Sequence, residues 1–197
     1  MSAQTARGER VQAQRERILQ AAQKCFTEHG FHAASMAAIA ETAQMSPSLI
    51  YRYFEGKSQI IQGIVERQLE LMVEDLARRQ SRGTDLAAAL FDSYYDIEGE
   101  HRFDDKMEPA LVLETTAEAS RDAQVGAVMK RFDQTISNAL RDWLRNEGVA
   151  ESMLDVRVFA LRCFIDGLLV RKLRQPDLSP ELLRQALSGA LGFVRTA

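Results

Sequence analysis

The chain has 197 residues, 46% apolar and 27% charged, which is the composition of a folded globular protein long enough for one domain or two small ones. With 2 cysteines and 3 histidines it is neither a disulfide scaffold nor a chain with metal-ligand spacing, so no cofactor or metal is expected. The polar, basic stretch Met1–Arg10 has no apolar run behind it, and no 18 consecutive apolar residues occur, so neither a secretory leader nor a membrane span is expected and the chain reads as cytoplasmic.

The net charge of −3 is unevenly spread. Residues 1–60 carry 7 Lys/Arg against 5 Asp/Glu, and the remainder carries 18 against 23. A polyanion is attracted by the first third and repelled by the rest.

Ala, Leu, Arg, Glu and Gln are plentiful, and no sustained Val/Ile/Thr alternation occurs, so an all-α chain of about nine helices is predicted. The first runs from about Arg10 to His29, with Val11, Ile18, Ala22, Cys25 and Phe26 on one face and Gly30 ending it. Ser35 caps a short second helix carrying Met36, Ile39, Ala40 and Ala43 at helical spacing. Ser46 and Pro47 open a third, which ends near Phe54 before a turn at Gly56. A long fourth helix follows from Lys57 to about Arg79, and Arg82-Gly83 after it is the expected boundary between two functional halves. Thr84 is the expected cap of a fifth helix reaching Ile97, and residues 99–105 form a polar loop. Pro109 stands in the first turn of the sixth, which runs to Ala119, and Ser120 is the expected cap of the seventh, which runs to Gly148. Ser152 with Asp155 is expected to begin the eighth helix, and Ser179-Pro180 the ninth. Cys25 and Cys163 both fall on apolar stripes, as buried free thiols would.

The eighth helix is apolar nearly all round. Leu154, Val158, Leu161, Ile165, Leu168 and Leu169 make one face, and Val156, Phe159, Cys163, Phe164, Gly167 and Val170 cover most of the others. Such a helix is buried on more than one side, either inside a monomer or against a second copy. The second copy is the reading taken here. It gives a homodimer through Phe164, Gly167, Leu168 and Arg171 of the eighth helix and Leu187, Ala190, Leu191 and Val194 of the ninth.

The segment from Ser35 to Lys57 is a short helix, a tight turn and another short helix, the lengths of a helix-turn-helix. On the third helix Ile50, Tyr53 and Phe54 share the inward side, which leaves Ser48, Leu49, Tyr51 and Arg52 facing mostly outward. Hydroxyls and a guanidinium reach phosphates or base edges, and a leucine meets a thymine methyl, so this edge suits a major groove. Lys57 and Ser35, each at a helix start, suit phosphates. A small helical hairpin with a polar face fits the same spacing.

Residues from about Arg15 to Ile64 resemble the N-terminal domain of the TetR family of bacterial regulators. The resemblance rests on Arg15, Ile18-Leu19, Ala21-Ala22, Phe26, Gly30, Ser35, Ile39-Ala40, Ser46, Ile50-Tyr51, Tyr53-Phe54 and Lys57. It implies a helix-turn-helix domain over residues 1–56, with a basic arm over 1–10 in which Arg7 and Arg10 reach the minor groove. It also implies a ligand-binding and dimerisation domain over 57–197, with 57–80 as connector. The implied function is a ligand-responsive repressor, released by a small-molecule inducer from a pseudo-palindromic operator in double-stranded DNA; the same domain also serves activators. Ser35 and Lys57 are implied as phosphate contacts, and Ser46, Pro47, Ser48, Leu49, Tyr51, Arg52 and Tyr53 as the recognition segment. The chain departs from the family pattern at Ala34, where a second hydroxyl is frequent, at Met45, where the turn is usually smaller, and at Ser48, where Gly is common.

Family logic places an inducer pocket among helices five to eight, with Phe91, Tyr95, Phe103, Met107, Leu111, Glu114, Thr115, Phe132, Ile136 and Phe164 as lining. The same residues equally suit a plain bundle core. An enzyme is not expected: there is no Gly-rich phosphate loop, no G-x-S-x-G and no C-x-x-C, and His29, His32 and His101 lack metal-ligand spacing.

Overall fold

The computed structural model describes residues 3–95 and 108–195, and side chains over 7–95 and 108–192. The described residues form nine helices and no strand: α1 (Ala3–His29), α2 (Met36–Thr42), α3 (Pro47–Tyr51), α4 (Lys57–Ser81), α5 (Leu86–Tyr95), α6 (Pro109–Ala119), α7 (Ala123–Asn146), α8 (Glu151–Arg174) and α9 (Pro180–Arg195). None is long and apolar enough to cross a membrane.

The element order agrees with the sequence pattern, but several helix starts do not. α1 begins at Ala3 rather than Arg10, so Arg7 and Arg10 sit exposed on its first turns and the expected arm is helical. The segment is rich in Ala, Gln, Arg and Glu, and a single Gly8 costs only about 1 kcal/mol against that run. α5 is capped by Asp85, whose Oδ1 accepts the Ala88 N–H at 2.9 Å, not by Thr84. The expected end at Ile97 and the 99–105 loop lie outside the described residues. α7 is capped by Asp122, whose Oδ1 accepts the N–H groups of Gln124 (2.8 Å) and Val125 (3.2 Å). Ser120 instead closes α6, its hydroxyl donating to the Ala117 carbonyl at 2.7 Å. α8 starts after Ala150 with no side-chain cap, which leaves Ser152 and Asp155 inside the helix. Where several capping residues lie within a few positions, the one whose oxygen reaches the free N–H groups prevails, and sequence alone does not rank them.

The chain packs as two compact units. One comprises Met1–Gln68 and Asp104–Met129, the other Leu69–Phe103 and Lys130–Ala197, so α4 and α7 contribute to both. This division follows packing and differs in kind from the functional boundaries expected after Gly56 and at Arg82-Gly83.

In the first unit Ile18, Ala22, Phe26, Ile39, Ile50, Phe54, Ile60 and Ile64 are buried together with Leu111, Thr115 and Val125. α1 and α4 meet closely at Gly63, where an added Cβ would stand 2.8 Å from Leu19 Cδ2. The Ser58 hydroxyl of α4 donates to Asp122 Oδ2 at 2.6 Å. That bond, followed by the N–H groups of Val125 and Gln124, holds the Asp122 carboxyl below the usual carboxylate range.

In the second unit Leu86, Ile136, Leu140, Trp143, Leu144, Leu154, Leu161 and Leu191 form one core cluster, and Phe91, Tyr94, Leu178, Leu183 and Leu187 a second. Leu187 and Leu191, expected at a self-interface, are therefore spent in the chain's own core, because α9 turns them inward with Leu183 and leaves Leu182 outside. Cys25 is buried as expected, but Cys163 is exposed. It lies on the outer face of α8 with Val156 and Phe159, which are 61% and 71% exposed.

Candidate nucleic-acid interface

Ser35 has extended backbone geometry at the start of α2, and its Oγ accepts the Ala38 N–H at 3.1 Å. The helix closes with bonds from Gln44 N–H to the Glu41 carbonyl and from Met45 N–H to the Ala40 carbonyl, both 2.9 Å. This is a Schellman turn, and its left-handed position is held by Gln44 at φ 53° rather than by glycine. Ser46 then caps α3, accepting the Leu49 N–H at 3.3 Å and lying 3.1 Å from the Ser48 hydroxyl.

α3 is only five residues long, and burial fixes its orientation. Ile50 and, just beyond the helix, Phe54 are fully inside. Ser46, Pro47, Ser48, Tyr51 and Arg52 are consequently exposed, with Leu49 and Tyr53 half-buried beside them. Of the expected DNA-contacting residues, these seven come together along one edge. Ser35 is exposed at the start of the neighbouring helix. Ala34 is buried, so the missing hydroxyl at that position faces the core.

Lys57 is placed differently from the expectation of a free phosphate ligand. Its Nζ donates to the carbonyl oxygens of Phe31 (2.8 Å) and His32 (3.2 Å) and lies 4.7 Å from the Phe31 ring centroid. Sequence reasoning also missed Arg15 as a support. It donates from Nη1 to the Tyr53 carbonyl at 3.0 Å and stacks 4.4 Å over the Phe54 ring. Its place among the matched family residues was the available signal.

The expected inducer-pocket residues divide between the units. Phe91 and Ile136 are core residues of the second unit, Phe132 and Phe164 are half-buried against its clusters, and Tyr95 donates its hydroxyl to the Leu178 carbonyl. Leu111 and Thr115 are buried in the first unit. Glu114 also belongs there and is already engaged, Oε2 accepting the Phe31 N–H at 2.6 Å. Phe103 and Met107 lie outside the described residues, as does the side chain of Val194. Tyr94, not singled out from sequence, is buried with no hydrogen-bond partner for its hydroxyl, and burial raises its pKa. Of the expected self-contacts on α8 and α9, Gly167 and Arg171 are exposed, and Phe164, Leu168 and Ala190 are half-buried.

Residues 18–64 match the family profile described as bacterial regulatory proteins, tetR family. The HTH-type transcriptional regulator UidR of Escherichia coli K12 is 33% identical over 136 residues, 69% of this chain and 67% of that protein. Among solved structures, Salmonella enterica GusR is 27% identical with a TM-score of 0.64, covering 91% of this chain and 96% of that one. A transcriptional regulator from Rhodococcus sp. Rha1 shares the fold at a TM-score of 0.69 and 23% identity, covering 93% of this chain and 98% of that one.

Proposed function

The chain belongs to the TetR family of bacterial regulatory proteins, and we propose that it acts as a homodimeric repressor that a small-molecule inducer releases from a pseudo-palindromic operator. The observation that carries the reading is the exposed edge Ser46-Pro47-Ser48, Tyr51 and Arg52, held outward by the buried Ile50 and Phe54. Three hydroxyls and a guanidinium on a rigid, short helix suit base edges and phosphates in one major-groove segment. Leu49 and Tyr53 flank that edge. Ser35 adds a phosphate contact from the α2 N-terminus, where the free N–H groups favour an anion. Lys57, with two of its three ammonium hydrogens on the Phe31 and His32 carbonyls, keeps the third for a phosphate. Arg7 and Arg10 approach DNA from a helix rather than from an extended arm.

Two copies give two such edges, spaced for half-sites about one helical turn apart. The exposed face of α8, with Val156, Phe159, Cys163 and Gly167, supports the pairing surface. In the domain beyond Gly56, the aromatic cluster of Phe91, Tyr94, Tyr95 and Phe164 suits a partly apolar effector, and the Tyr94 hydroxyl is the polar group left to orient it. The protein acts in the cytoplasm, where its operator is.

Selection of bound duplexes from a randomised library, followed by fluorescence anisotropy, tests the reading. The expected product is an inverted repeat, and Arg52→Ala should weaken binding by about 1–3 kcal/mol and relax preference at one position of each half-site. Retrieval of no sequence, or an unchanged Arg52→Ala, defeats it.

A further inference from the structure

The turn at Gly30–His32 is held from two sides. On one side Lys57, the first residue of α4, caps its carbonyl oxygens. On the other the Glu114 carboxylate of α6, 83 positions along the chain, takes the Phe31 N–H at 2.6 Å. Gly30 makes room for that carboxylate: it has φ +78°, and a Cβ there would stand 3.2 Å from Glu114 Oε1. A carboxylate bonded to a backbone N–H is a charge-assisted contact with a defined direction, unlike the apolar packing of Leu111 on the same helix. The turn leads within a few residues to Ser35, the cap of α2, and α2 continues through the Gln44 turn into α3.

We propose that Glu114 is a positioning residue that ties α6 to the helix-turn-helix, so that the state of α6 and occupancy of the operator are coupled through the Gly30–Phe31 turn. The proposal rests on the DNA-binding reading above and adds the route by which a displaced α6 alters that binding. Coupling between sites is reciprocal: if α6 biases operator affinity, operator binding alters α6.

Hydrogen exchange of the full-length protein, with and without its selected operator duplex, tests this without an identified effector. In the wild type, operator binding should slow exchange in residues 109–119 by about fivefold or more, the lower end of typical coupling. Glu114→Gln, whose amide oxygen still accepts the Phe31 N–H, should keep that response. Glu114→Met, which preserves volume but not the acceptor, should lose it while α3 remains protected by DNA. Absence of a response at 109–119 in the wild type, or its persistence in Glu114→Met, overturns the proposal. Failure of the wild type to select any duplex shows up earlier, at the binding step, and removes the premise itself.

Discussion

Arg15 of α1 holds the end of the recognition segment by donating to the Tyr53 carbonyl at 3.0 Å while its guanidinium lies 4.4 Å over the Phe54 ring. The carbonyl would otherwise lack a partner where α3 ends after five residues, and the ring is the anchor that fixes how the exposed edge faces outward. A net hydrogen bond contributes about 0.5–1.5 kcal/mol and an exposed cation–π contact about 0.5–1. Arg15→Met should therefore lower stability by about 1–2 kcal/mol in urea denaturation and weaken operator binding in the same samples. Lysine should not restore either, since it lacks the planar fork that bonds and stacks together. Wild-type stability in Arg15→Met would remove this role.

Gln44 is the sole described non-glycine residue with positive φ, at 53° in the turn between α2 and α3. An L side chain there costs roughly 1 kcal/mol, partly offset by the bond from Arg17 Nη2 to Gln44 Oε1 at 3.2 Å, an exposed contact of small worth. Gln44→Gly should stabilise the protein by about 0.5–1 kcal/mol, after allowing for the looser unfolded chain. Gln44→Val should destabilise it by a similar or larger amount. Denaturation midpoints at constant slope decide it, and a destabilised glycine variant would contradict the strain account.

These two residues show what the sequence made legible and what it did not. Helical periodicity and the Ser35, Ser46 and Pro47 signals located α2 and α3, because caps and apolar spacing are local properties of the chain. The turn was placed without its left-handed residue, since glutamine gives no signal for positive φ. Residues that act across long separations stayed hidden for a different reason. Glu114 reads as a polar residue on an apolar helix, and only the fold brings it to Phe31. Leu187 and Leu191 have the spacing of an interface and the burial of a core, and spacing alone does not separate the two.

Asp122 offers a pH test of the joint between α4 and α7. Its carboxyl is held below the ordinary range first by the Ser58 hydroxyl and then by the N–H groups of Val125 and Gln124. A carboxyl lowered in the folded state stabilises fully above its unfolded pKa of about 3.9, and that contribution is lost as pH falls through the lower folded value. Asp122→Asn should be less stable than wild type at neutral pH, with the gap closing only below about pH 4. A gap that stays constant down to acid unfolding would show that the carboxylate's charge contributes nothing there.

Phe159 and Val156 present two large apolar side chains to solvent on one face of α8, with the exposed Cys163 about one helical turn beyond Phe159 and Gly167 about two. Burying a phenylalanine or valine side chain is worth about 1.5–3 kcal/mol, so covering this stripe with its own copy gives a strong drive to pair. Phe159→Glu places a charge on that face, and two copies around a two-fold axis bring the charges together. The variant should sediment as a monomer with an unchanged helical circular dichroism spectrum. It should bind a single half-site as well as wild type does but lose the added affinity of the full inverted repeat. That loss reflects the second recognition edge no longer being delivered by its partner. A Phe159→Glu protein that remains dimeric would move the self-contact to another face of the molecule.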